Sequence, residues 1–198
     1  PGAYTNLGAV LKDLNKLEEA HQQCRKAIEL KPDFVGGISN LGTVVEQLGR
    51  PHEAIELFER AICLDPNNVE AHNNLAKIYK DLGNLEDAEA SSRKAIALEP
   101  ANAKLYHNLG NILGDLEKFR EAEACFRAAV ELEPDNLTHR HNLGNTLRYW
   151  GKLGEAENVL TTAIDIKPDD AMARIDLCTL YLQQLHFAEG FELYEWRW

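Results

Sequence analysis

Asparagine recurs at one fixed spacing along this 198-residue chain: Asn6, Asn40, Asn74, Asn108 and Asn142 stand 34 residues apart. A carboxamide carries a carbonyl acceptor and an amino donor, so it can pair with both hydrogen-bonding groups of an extended peptide backbone. Each such bond contributes about 0.5–1.5 kcal/mol net, so five in register would supply on the order of a few kcal/mol of sequence-independent affinity. Asparagine is a mediocre helix former, so its recurrence inside a helical pattern needs an explanation. Two are open at this level: a grip on a guest polypeptide, or hydrogen bonds that hold neighbouring helices together.

Other residues capable of chemistry do not assemble into a catalytic motif. The chain has no glycine-rich phosphate loop, no HExxH and no GxSxG, and His52-Glu53 is followed by Glu56 where a second histidine would be needed. His139 and His141 lie two apart, so on a helix they point to different faces. His107 and His141 share a repeat position and would lie about 10 Å apart on adjacent helices, too far for one metal to bridge. Cys24, Cys63, Cys125 and Cys178 match no zinc-site spacing and are expected to be buried, reduced thiols. The expectation is a non-enzyme with no cofactor and no metal.

The elements that must position the asparagines are legible from three further series in step with them. These are Ala20, Ala54, Ala88, Ala122, Ala156; then Ala27, Ala61, Ala95, Ala129, Ala163; then Pro32, Pro66, Pro100, Pro134, Pro168. Apolar residues recur at helical spacing, as in Leu7, Leu11, Leu14 and Leu109, Leu113, Leu116. Gly49 and Gly83 suit the left-handed end of a helix. Each proline stops a helix, and Asp33, Asn67, Asn102, Asp135 and Asp169 behind it are suited to start the next. Each period therefore reads as two antiparallel helices, near positions 2–15 and 18–31.

This pattern resembles the tetratricopeptide repeat over essentially the whole chain, with repeats at 1–34, 35–68, 69–102, 103–136, 137–170 and a partial one at 171–198. Departures are local: Cys178 replaces the first-helix glycine of the last repeat, Cys24 and Ser92 stand where an aromatic is common, and Gly190 replaces an alanine. The resemblance implies an all-α fold, a right-handed superhelical α-solenoid forming a single array. Such a stack buries in its neighbours what one helix pair cannot bury alone. It further implies that the first helices line a concave groove, with the asparagine series forming a ladder along it. A similar ladder occurs in the arrays of O-GlcNAc transferase and holds the backbone of substrate polypeptides. The same resemblance places His107 and His141, and Lys77, Asn111 and Asn145, on the groove beside Asn6, Asn40, Asn74, Asn108 and Asn142.

Groove positions hold five basic and six acidic residues, near neutral, although the chain carries a net charge of -11. A balanced, amide-rich groove suits a polar or mixed peptide better than an acidic tail. Lys77 and Lys80 beside Asn74 leave a carboxylate clamp as a lesser option. The acidic balance and the lack of a basic stripe argue against nucleic acid. No apolar run spans a bilayer and no leader is visible, which makes a cytoplasmic protein the expectation. The end, Tyr194-Glu195-Trp196-Arg197-Trp198, resembles the junction of bacterial proteins in which such an array precedes a glycosyltransferase-like domain. Three functions follow: a polypeptide-binding scaffold, the substrate-recognition region of a larger protein glycosyltransferase, or a self-association module acting through an uncapped end.

Overall fold

A computed structural model describes residues 1–195 and contains twelve α-helices and no strand among them. The chain divides into two compact units, residues 1–100 and 101–198. The first holds α1 (Gly2–Asp13), α2 (Leu17–Leu30), α3 (Val35–Gln47), α4 (Pro51–Leu64), α5 (Val69–Asp81) and α6 (Leu85–Leu98). The second holds α7 (Ala103–Asp115), α8 (Phe119–Leu132), α9 (Leu137–Tyr149), α10 (Leu153–Ile166), α11 (Ala171–Gln183) and α12 (Phe187–Glu195). Of the C-terminal segment Tyr194-Glu195-Trp196-Arg197-Trp198, the last three residues lie outside the described residues.

In both units consecutive helices pack as hairpins, three to a unit. Within the first unit α1 touches α3 and α3 touches α5; within the second α7 touches α9 and α9 touches α11. Among the described residues, the backbones of a unit's second helices do not approach one another as those of the first helices do, although the Arg127 side chain on α8 reaches Glu155 on α10 at 2.7 Å. A layered stack whose first helices are the closer set bends toward them, so the first helices form the inner face of each unit.

Steric fit explains the sequence series. All ten periodic alanines, Ala20 to Ala156 and Ala27 to Ala163, are completely buried. There a methyl group allows close helix approach without the helix penalty of glycine. The first-helix glycine has a different partner: a Cβ on Gly42 would stand 2.9 Å from Phe58, on Gly110 2.7 Å from Phe126, and on Gly144 2.6 Å from Leu160. The missing Cβ makes room for a large side chain of the second helix. Where the first helix carries Ala76, the equivalent second-helix residue is the small Ser92, and both are 2% exposed. Ser92 and Ala76 are thus a matched pair of departures that conserve volume across the contact.

The turn inside each hairpin is left-handed. Gly49, Gly83 and Gly151 have φ of 76°, 81° and 80°, as a helix-ending glycine should. In the other hairpins Asn15, Glu117 and Leu185 take the same conformation at φ 58°, 58° and 64°. Helix starts are capped one residue later than expected in three repeats. Asn68, Asn136 and Asp170 accept the N–H of Ala71, Thr138 and Ala173, in place of Asn67, Asp135 and Asp169; Asn102 caps Lys104 as expected. Asp33 is replaced in that role by Phe34, which offers no side-chain bond. The proline is followed by one turn residue before the cap, which shifts the register. Cys24 and Cys178 are buried as expected, whereas Cys125 is half-buried and Cys63, one residue from the end of α4, is exposed.

Candidate peptide-binding face

The first helices bring the periodic residues onto one side of each unit because every repeat sets the same position of its first helix in the same place on the stack. In the first unit, Asn6 on α1 is exposed, and Asn40 on α3 and Asn74 on α5 are half-buried. Among the described residues no hydrogen bond within the chain engages the Asn40 or Asn74 amide. Lys77 reaches back to Glu46, with its Nζ 2.6 Å from Oε1, and so joins α5 to α3. Lys77 is largely exposed, so this pair contributes little stability, about 0–1 kcal/mol. Below it the Asn68 amide donates to the Ser39 hydroxyl at 3.3 Å.

The second unit is wired differently. Asn142 on α9 donates to the Asn111 carbonyl oxygen on α7 at 3.2 Å, and its amide nitrogen also lies 3.5 Å from His107 Nε2. The Nδ1 atoms of His107 and His139 are 3.0 Å apart. His139 in turn places Nε2 3.1 Å from the Glu133 carboxylate, which also accepts from Asn136 at 2.8 Å. Burial pushes His107 below the ordinary histidine range, and His139 beside it adds to the effect. Bonds from Asn136 and His139 hold the Glu133 carboxyl below the usual range, so it stays an acceptor. The Asn145 carbonyl accepts from Arg148 at 3.3 Å, and the Arg148 guanidinium lies 4.4 Å from the centre of the exposed Tyr149 ring. Asn108 is half-buried on α7 beside these residues.

His141, at the same repeat position, has a different setting. It is 8% exposed and sits between two carboxylates, Nε2 3.4 Å from Asp170 and Nδ1 3.2 Å from Asp176. The second contact is close but poorly aligned for a hydrogen bond, and it becomes an ion pair when the ring is protonated. Asp176 raises the His141 pKa, burial opposes it, and the Asp170 charge adds to the rise. His141 therefore joins α9 to α11 and is nearly buried between them. His107 meets His139 rather than His141, a pairing that the sequence reading did not anticipate.

A cleft of about 440 Å3 opens between α7 and α9. Its floor is Gly110 and the Phe126 ring; Asn111, Asn142 and Asn145 line its walls, and Tyr149 and Asp115 its rim. Gly114 is what opens it. This residue occupies the place taken by Glu46 on α3 and Arg148 on α9, and a Cβ there would meet nothing. The sequence singles out neither Gly114 nor Glu133, and it raises His139 only as a neighbour of His141 on another helix face. A glycine in a helix with no packing reason for it was the available signal.

Among the described residues no group of His, Cys, Asp and Glu is placed to hold a metal ion. No helix among them is long and apolar enough to cross a membrane.

Comparison with known proteins agrees with this architecture. Family models described as tetratricopeptide repeat match residues 1–34, 46–91 and 101–169, and one described as TPR repeat matches 76–117. No curated protein matches the chain. Among solved structures, YrrB, described as a TPR protein with an unusual peptide-binding site, is 22% identical over 87% of this chain and 89% of its own, with a TM-score of 0.74. PilF of Pseudomonas aeruginosa is 19% identical over 97% of this chain and 87% of its own, at 0.82. A tetratricopeptide repeat protein of Parabacteroides merdae is 20% identical over 98% of this chain and 77% of its own, at 0.83. At these identities the likeness is one of fold, and together with the family models it establishes that the chain is an array of tetratricopeptide repeats.

Proposed function

We propose that the chain is a protein-interaction scaffold that holds an extended polypeptide on the inner faces of its units, chiefly through asparagine amides. The observation that carries this reading is the state of the first unit's inner face. Asn40 and Asn74 are half-buried there, yet no bond within the chain uses their amides. If their purpose were to tie neighbouring helices, those bonds would be made. The cleft beneath Gly114 supports the same reading in the second unit, because it offers depth for a side chain beside the amides of Asn111, Asn142 and Asn145. Repeat arrays of this kind present extended concave surfaces to their partners, and YrrB, of the same fold, is described as having a peptide-binding site.

The test is an array of short unstructured peptides probed with the wild-type chain and with an Asn40→Ala, Asn74→Ala variant. Losing two amide bonds of about 0.5–1.5 kcal/mol each should weaken the best peptides roughly 5- to 150-fold, with helical content unchanged. Equal binding by a folded variant would remove the ladder as the site.

A second reading, self-association, is favoured by one observation. Leu185, Phe187, Phe191 and Tyr194 are all exposed on and beside α12, and the two phenylalanine rings stack 6.5 Å apart. Exposed apolar patches of this kind mark interaction sites. A mass that rises with concentration, and that becomes constant in Phe187→Glu, Phe191→Glu, would support it. The glycosyltransferase reading rests on resemblance alone and gains no support from these observations.

A further inference from the structure

The hydrogen-bond chain in the second unit has only one consistent arrangement of protons when both rings are neutral. The Glu133 carboxylate can only accept, so His139 Nε2 carries the proton that points at it. The other nitrogen of a neutral His139, Nδ1, is then an acceptor. The partner 3.0 Å away, His107 Nδ1, must therefore be the N–H donor. That leaves His107 Nε2 as a bare acceptor facing the Asn142 amide at 3.5 Å. Asn142 satisfies it with one amino hydrogen and gives the other to the Asn111 carbonyl. A flipped Asn142 would instead set its carbonyl against two acceptors at once.

We infer that Glu133, His139 and His107 form a positioning relay that fixes the orientation of the Asn142 amide, so that the second unit offers a guest one acceptor, Asn142 Oδ1, and one donor, Asn111 Nδ2. This rests on the reading of the inner face as a polypeptide-binding surface and specifies its chemistry. Each amide of the pair has spent one half on the other, and the two unspent halves match the N–H and C=O of a peptide unit. The pair therefore selects a backbone running in one polarity, which a freely rotating asparagine would not do.

The relay also has an off state. Should His107 take its second proton, Nε2 becomes a donor, and the Asn142 carbonyl is then the better partner. The groups that face His107 are Lys104 on its own helix, Glu133 at the C-terminal cap of α8 and His139 on α9; α8 also contributes the uncharged Phe126 ring, 5.8 Å away and inclined at 76°. Burial of His107 keeps the neutral arrangement in place.

Imidazole nitrogen shifts of the isotope-labelled full chain test this without any ligand. Near neutral pH, His107 should be the Nδ1–H tautomer and His139 the Nε2–H tautomer. On acidification the Asn142 side-chain amide signals should move with the same midpoint as the His107 ring, and the movement should vanish in His107→Phe. Finding His107 with its proton on Nε2, or an Asn142 amide indifferent to His107, overturns the relay while leaving the peptide reading standing. Glu133→Gln supplies the functional arm, since the exposed Glu133 can be changed without disturbing the core. This variant should mix the His107 tautomers and weaken the best wild-type array peptide about 2- to 10-fold, the equivalent of one hydrogen bond. Mixed tautomers with undiminished affinity would show that orientation does not matter to the guest, and would overturn the claim of polarity.

Discussion

His107 and His141 stand one repeat apart at the same position of the same helix face, and the fold has made them opposites. Around His107 the next helix offers amides: Asn136 lies beside it in the same pocket and Asn142 bonds to its ring. Around His141 the corresponding residues, 34 places on, are the carboxylates Asp170 and Asp176. Burial and the neighbouring His139 push His107 toward its neutral form, which suits the acceptor that the Asn142 amide needs, while the Asp176 and Asp170 carboxylates favour the charged form of His141. The repeat geometry decides where a side chain points. The chemistry it performs there is decided by which side chain the next repeat presents.

The sharpest way to break this comparison is to remove each ring. His141→Leu leaves Asp176, 8% exposed, facing Asp170 with no counter-charge. Breaking a buried pair from one side costs about 3–5 kcal/mol. His107→Leu removes neutral hydrogen bonds from a half-buried ring and should cost about 1 kcal/mol. Urea unfolding of the two variants measures the difference, and equal losses would mean that the two sites are alike after all.

A smaller effect separates the two through packing. Gly110→Ala would place a methyl group 2.7 Å from the Phe126 ring, which packs against His107 at 5.8 Å. Overpacking of this kind costs about 1–3 kcal/mol. The displaced ring should shift the His107 signals and leave the titration of His141 unchanged. Replacing Phe126 by leucine in the same chain should recover part of the loss, a coupling of about 0.5 kcal/mol or more.

The dependence on pH has opposite signs at the two rings. His141 has a raised pKa, so the folded state binds its proton more tightly than the unfolded chain does. Its contribution is complete below about pH 6.5 and is lost as pH rises through the folded value. Accordingly the stability gap between wild type and Asp176→Asn should narrow on the alkaline side. His107 has a lowered pKa, so the unfolded chain takes up its proton first. Its contribution is complete above about pH 6.5 and is lost as pH falls below it. The gap between wild type and His107→Phe should therefore narrow on the acid side. Slopes of the same sign in both cases would contradict the assigned environments.

Much of this architecture could be read from residues alone because small residues at a fixed period leave few alternatives. The buried alanines and the glycine opposite Phe58 and Phe126 are steric requirements, and a steric requirement fixes a residue type. The inner-face partners were not readable in the same way. The repeat spacing relates His107 only to His141, about 10 Å away, but side chains of stacked helices do not meet their own equivalents. Asn111 meets Asn142 at a separation of 31, His107 meets His139 at 32 and Asn142 at 35, and Glu46 meets Lys77 at 31. Each side chain reaches between two residues one turn apart on the next helix. That offset is set by helix packing, which the period does not reveal. For the same reason the shared spacing of the five asparagines does not reveal that Asn142 has both amino hydrogens committed while Asn74 has no such bond.

The smallest expected effect concerns the open end of the relay. Gly114 sits in the last turn of α7, where glycine costs up to about 0.5–1 kcal/mol relative to alanine. A Cβ there meets no atom, so Gly114→Ala should stabilise the fold by about that amount, read from urea unfolding. Gly114→Leu keeps the better helix former but projects into the cleft that Asn111, Asn142 and Asn145 line. In that variant His107 should keep its tautomer and His141 its raised pKa, because neither ring lines the cleft. Peptide binding to the second unit should nevertheless fall. A leucine variant that binds as well as wild type would show that the space beneath Gly114 receives nothing, and the glycine would then have no account in either packing or recognition.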